Sequence, residues 1–182
     1  RLGGEEGAFP HLPAGLCLLS PYIDLTMDSP GFESTTFSYV DGSGDIFYTN
    51  HDRSSCVEAD RDWLRRRAKD YVGSLSPDSP LCSPAFIPEA DLAAFPHLFA
   101  MVGGQEVFLH ETRRFVDRAQ LAGVSAELRV FGRMWHDWFN YCELPGKLGL
   151  DAGPPRHHSL SAASDAYEAL AYWISSLCCG TC

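Results

Sequence analysis

The 182 residues make a chain long enough for one domain with a sizeable core, and 45% hydrophobic with 21% charged residues is the composition of an ordinary globular protein. A formal net charge of -10 argues against nucleic acid or an anionic membrane surface as the main partner. No apolar run reaches the roughly 18 residues of a transmembrane helix, and no basic-then-apolar leader stands at the start.

In chain order, residues 1–14 are rich in Gly, Pro and Glu and read as a loop. "GLCLLSP" (15–21) is a short continuous apolar run closed by Ser-Pro, which suits a strand buried on both faces. Residues 26–51 mix Gly, Ser, Thr, Asp and aromatics with no steady period, as loop or lid material does. Residues 56–72 follow a helical pattern. Val57, Leu64, Ala68 and Tyr71 share a face, Ser55 with Glu58 makes a capping box, and Arg61, Arg65, Arg66 and Lys69 form a solvated basic face. Prolines at 77, 80, 84, 88 and 96 exclude long regular elements over 73–96.

"HLFAMVG" (97–103) predicts a second buried strand, stopped by Gly-Gly. A helix is expected over about 111–122, with Phe115, Ala119 and Ala122 on its apolar face and Gly123 as its stop. "SAELRVF" (125–131) predicts a third strand with Ala126, Leu128 and Val130 inward. After a Gly/Pro loop, Ser164 is expected to cap a last helix whose stripe is Tyr167, Leu170, Ile174 and Leu177. The order β, long insertion, β, α, β, α predicts an α/β fold with a parallel sheet, in one domain over 1–182.

The seven cysteines are scattered and odd in number, which points to reduced, buried thiols in an intracellular compartment. Cys179 and Cys182 form a C-x-x-C, yet no second ligand pair stands near it, so a frayed tail is expected rather than a metal site. His157-His158 read as a solvated pair in a loop. No cofactor is expected.

Two residues form a constellation. Glu106 lies just past the second strand and His136 just past the third. Adjacent parallel strands run about 4.8 Å apart and join by a right-handed crossover, so both side chains should emerge at the C-terminal edge of the sheet. A carboxylate beside an imidazole fixes its tautomer and leaves the other ring nitrogen free to take a proton from a nucleophile. Asp137 is a rival acid, but its place next in sequence is expected to point it away from the ring. Asp24, in "PYIDL", is expected to steady a loop.

The order "LLSPYIDLT", "DYVG", "DSPLCSP", "FPHLFAMVGGQEVFLHE" and "AGVSAELRVFGRMWHDWF" resembles the C-terminal half of the hormone-sensitive-lipase-like esterases, the α/β-hydrolase fold-3 family, over about residues 13–177. The resemblance implies a serine hydrolase of carboxylic esters, with Glu106 as triad acid and His136 as base. The family often has Asp at the acid's place, and "GRMWH" is one residue longer than the commonest form of the histidine segment. It also implies a lid over 26–75, whose Phe37, Tyr39, Phe47, Tyr48 and Trp63 suit a small-molecule ester with an apolar acyl or alcohol part.

A nucleophile is not found. No serine has glycine two residues away on both sides, and Ser43, in "DGSGD", has Asp41 and Asp45 there instead. The oxyanion-hole segment is missing as well. The chain is therefore expected to be an incomplete hydrolase that starts after the nucleophile turn, inactive alone, with an unpaired edge on its first strand that invites self-association. A non-catalytic relative that binds an apolar ligand or a partner chain is the alternative. Membrane association stays open.

Overall fold

The computed structural model describes residues 12–34, 45, 56–141 and 157–179. Among the described residues three strands form one parallel sheet: β1 (Gly15–Leu19), β2 (His97–Gly103) and β3 (Ala126–Phe131), in the order β1-β2-β3. Gly15 pairs with His97 and Leu98 with Ala126, so the C-terminal ends of all three strands meet at one rim. The helices are α1 (Gly31–Ser34), α2 (Cys56–Val72), α3 (Glu89–Leu92), α4 (Leu109–Leu121) and α5 (His157–Cys179), with short 3-10 turns at Pro84–Phe86 and Trp138–Tyr141.

β2 is the central strand, and its alternation divides the core. Leu98 and Ala100 point to one face, where Phe115, Val116 and Ala119 of α4 cover them with Ile23, Leu92 and Val124. Phe99 and Met101 point to the other, against Met134, Trp138, Phe139 and the alanines Ala163 and Ala166 of α5. A third cluster lies beyond the rim. There Leu64, Ala68 and Val72 of α2 pack on Leu25, Met27, Phe32, Val107 and Phe108. Side chains covered on both faces of a strand produce a continuous apolar run, which is why 97–103 reads so plainly. Arg118 of α4 donates to the carbonyls of Ala85 and Ile87 and ties the proline-rich segment to the sheet.

Several details differ from the sequence pattern. β1 is half-buried rather than covered on both faces, because it is the outermost described strand. On α2 the helical face ends on buried Val72, and Tyr71 projects into solvent. Val130 is also exposed, while Ala126 and Leu128 on the same face pack on the cluster under α4. α5 begins at His157, seven residues before the expected cap at Ser164, and it packs through Ala163, Ala166, Leu170 and Trp173, leaving Tyr167 and Ile174 about half exposed. The His157-His158 backbone is therefore helical, not loop. Cys17 and Cys82 are free and half-buried and Cys178 is exposed, which corrects the expectation of buried thiols for these three. No helix among the described residues is long and apolar enough to cross a membrane.

Candidate active site

Two turns at the rim carry Glu106 and His136. β2 ends at Gly103 and leads through Gly104 and Gln105 to Glu106, while β3 ends at Phe131 and leads through Gly132 and Arg133 to His136. The turns are laced together. Gly104 N–H donates to the Phe131 carbonyl at 2.8 Å and Gln105 N–H to the Met134 carbonyl at 2.9 Å. Their approach needs glycine at 103, since a Cβ there would stand 2.3 Å from the Met134 carbonyl oxygen. Gly103→Ala is therefore expected to cost about 1–3 kcal/mol through overpacking that only backbone movement can relieve. Urea unfolding measures it, and an unchanged midpoint with an unchanged slope would show that the turns are not held this tightly.

Glu106 is only 1% exposed, and its carboxylate receives three donors. Ser20 Oγ donates to Oε1 at 2.7 Å, the Gly103 N–H donates to the same oxygen, and His136 Nδ1 lies 3.1 Å from Oε2. A carboxylate only accepts, so Nδ1 carries the hydrogen of this contact and Nε2 is the nitrogen left for other chemistry. Burial pushes the Glu106 carboxyl up, and the three donors pull it back only in part. Burial pulls His136 down, but the Glu106 hydrogen bond and charge, with Asp137 and Asp45, outweigh it and leave the imidazole raised. The pair therefore holds a proton firmly, as an imidazole held for general-base work does once it has accepted one. The Phe108 ring stands edge-on to the imidazole at 5.2 Å and Tyr22 stacks on Phe108 at 4.9 Å, so one side of the ring is walled by aromatics.

Asp137 does not point away from the ring. Its Oδ2 lies 3.3 Å from His136 Nε2, because residue 137 takes a left-handed backbone (φ 58°) that turns the side chain back over its neighbour. It is partly exposed, so solvent or an incoming group can displace it. Two residues join the site that the sequence pattern did not indicate. Ser20, at the end of β1, donates to Glu106 and accepts the Asp137 N–H at 3.2 Å. The strand-end argument that selects Glu106 and His136 applies equally to the Ser-Pro after β1, and would have found it. Asp45, fully buried, accepts the N–H of Val107 at 2.8 Å and of His136 at 2.9 Å. It comes from a Gly/Ser-rich stretch with no periodic signal, so nothing in the sequence marks it.

Asp24 steadies its loop as expected, with Oδ1 accepting from Thr26 N–H and hydroxyl at 2.9 and 2.6 Å. Near it opens a cleft of about 460 Å³ lined by Asp24, Asp28, His110, Glu111 and Phe115 among others. Glu111 is 4% exposed, and burial lifts its carboxyl to about 7; the Ser29 hydroxyl relieves only part of that cost, and no well-aligned hydrogen bond reaches its oxygens among the described residues. Among the described residues no three His, Cys, Asp or Glu side chains converge as metal ligands. Of the aromatics expected over the acyl pocket, Trp63 lies on the exposed side of α2 beneath the Arg67 guanidinium at 5.4 Å. Phe37, Tyr39, Phe47 and Tyr48, like Ser43, Cys182 and the expected capping box at Ser55, lie outside the described residues.

Comparison with known proteins agrees with this architecture. A family model for the alpha/beta hydrolase fold matches residues 4–140. An esterase of Acinetobacter venetianus is 31% identical over 128 residues, which cover 70% of this chain and 36% of that protein. A hormone-sensitive lipase from a metagenome library superposes with a TM-score of 0.61 at 26% identity, over 91% of this chain and 45% of its own. An esterase of the bacterial hormone-sensitive lipase family gives 0.56 at 28% identity, over 85% and 42%. The chain thus spans less than half the length of these relatives. With a parallel sheet, an acid and an imidazole meeting at its C-terminal rim, and these matches, the chain belongs to the α/β-hydrolase fold family and is similar to its hormone-sensitive-lipase-like esterases.

Proposed function

We propose that this chain supplies the base and the orienting acid of a carboxylic ester hydrolase, whose nucleophilic serine and oxyanion-hole amides come from a segment outside these 182 residues. The observation that carries the reading is the contact of 3.1 Å between His136 Nδ1 and Glu106 Oε2 at the strand ends. His136 Nε2 takes the proton of the attacking hydroxyl once Asp137 has swung aside, and later returns it to the leaving alcohol. Glu106 holds the imidazole in the required tautomer and stabilises the imidazolium. The segment over 26–75 acts as a lid over an apolar acyl or alcohol group, within a single hydrolase domain.

The chain alone lacks a Gly-x-Ser-x-Gly turn. Loss of the serine in a serine hydrolase lowers turnover on the order of 10⁶-fold. The purified chain is therefore expected to leave a short p-nitrophenyl ester almost untouched and to resist a serine-directed fluorophosphonate. A longer polypeptide that carries an upstream nucleophile turn should hydrolyse the ester and take the label. Full esterase turnover by the 182 residues alone would mean that another group is the nucleophile. An unlabelled, inactive extended chain would favour the ligand-binding alternative.

A further inference from the structure

We propose that Asp45 is a positioning residue that holds the acid-bearing and base-bearing turns in register by bridging the backbone N–H groups of Val107 and His136. The inference rests on the reading of Glu106 and His136 as acid and base, and adds to it the part that sets their separation.

The geometry is specific. Asp45 Oδ2 accepts from the residue that follows the acid, and Oδ1 accepts from the base itself, at 2.8 and 2.9 Å. The two amides belong to turns that leave different strands. A carboxylate is the one protein side chain that offers two acceptor oxygens in a fixed fork, and an ionised acceptor strengthens both bonds. Because Asp45 stands 62 and 91 residues from its partners in sequence, it is a long-range clasp rather than a local turn. Its reach extends to the walls of the site. Pinning Val107 also pins Phe108, whose ring stands against the imidazole. A displacement of about 1 Å between reacting groups costs on the order of 10²-fold in rate, so a group that fixes the two turns acts on chemistry it never touches. The charge of Asp45 also works on His136, alongside those of Glu106 and Asp137, in favouring the imidazolium.

Nuclear magnetic resonance on the labelled 182-residue chain tests this directly. Through-hydrogen-bond couplings should connect the amide nitrogens of Val107 and His136 to the Asp45 carboxyl carbon. Asp45→Asn keeps the volume but offers one oxygen and one NH2 group, which faces an N–H with another donor. In this variant the two amides should exchange with solvent on the order of tenfold faster or more, while the Val116 amide in α4 keeps its rate. The His136 titration midpoint should fall. A burial role alone would leave that midpoint where it is.

Two results overturn the proposal: no couplings in the unaltered chain, or an Asp45→Asn chain whose His136 midpoint and amide rates match the parent. If the variant does not fold, the couplings in the parent decide. Glu106→Gln in the same titration separates the two readings. If it leaves His136 unmoved, the acid–base reading fails and the clasp falls with it. If it shifts His136 while Asp45→Asn moves neither His136 nor the two amide rates, the clasp alone fails.

Discussion

Glu106→Gln is expected to lower kcat of the proposed full-length hydrolase about 10⁴-fold while leaving the fold in place, as the acid-to-amide change does in serine triads. The reason lies in how the two carboxylate oxygens are used. Oε1 serves Ser20 and the Gly103 N–H, and the glutamine carbonyl can take over that role unchanged. Oε2 serves His136 Nδ1, and glutamine places an NH2 group there. Two donors cannot face each other, so the imidazole must present a bare Nδ1 and carry its hydrogen on Nε2. The nitrogen meant to accept a proton from the nucleophile is then already protonated. Loss of the carboxylate charge also lowers the His136 pKa, so the residual activity should be less sensitive to acid than that of the parent. The measurement is kcat against pH for a p-nitrophenyl ester, with circular dichroism as the control on folding. A loss under tenfold would mean that another carboxylate, Asp137 first among them, orients the base.

Glu111 is expected to make the protein less stable as the pH rises from about 4.5 to about 7. Burial lifts its carboxyl to about 7 in the folded chain from the 4.5 of an exposed glutamate. The folded state therefore holds this proton more tightly than the unfolded state. Its stabilising contribution is complete below the unfolded value, disappears as pH passes through the folded value, and stays absent above it. The difference corresponds to a contribution on the order of 3 kcal/mol. Glu111→Gln mimics the protonated form at every pH. At pH 8 it should be more stable than the parent by an amount of that order, whereas at pH 4 the two should nearly coincide. Urea unfolding of both proteins at several pH values gives the answer. Parallel stability profiles would show that burial does not hold the Glu111 carboxyl protonated.

The elements most legible in the sequence are those with large side chains on a regular period. β2 is an apolar run stopped by Gly-Gly, and α4 shows Phe115 and Ala119 one turn apart before Gly123. From these two and the crossover rule, the shared rim of Glu106 and His136 follows without any contact being known. α5 was less legible because its buried positions are alanines. Ala163 and Ala166 carry little hydrophobic signal, so Tyr167 and Ile174 set the apparent phase one step off. Val130 fits an inward alternation, but burial also needs a covering neighbour, and the cluster under α4 takes in Ala126 and Leu128 but not Val130. Asp137 departs from the sequence expectation because a left-handed backbone reverses where a side chain points, and nothing in "MWHDW" announces one. Asp45 was invisible for a different reason. Its partners are backbone amides, which have no identity in a sequence.

The rim also bears on how the protein could be hardened against heat. Ser20, Arg133 and Asp137 all hold left-handed backbone (φ 43°, 64° and 58°) without being glycine, a conformation that costs roughly 1–2 kcal/mol for an ordinary residue. An engineer seeking a longer shelf life would look to these positions first. Ser20 and Asp137 contact Glu106 and His136, the proposed acid and base, so on that reading relaxing them would exchange turnover for durability. Arg133 is exposed and lies on the same turn without entering that network, which makes Arg133→Gly the substitution expected to add toughness while leaving the Glu106–His136 contact untouched.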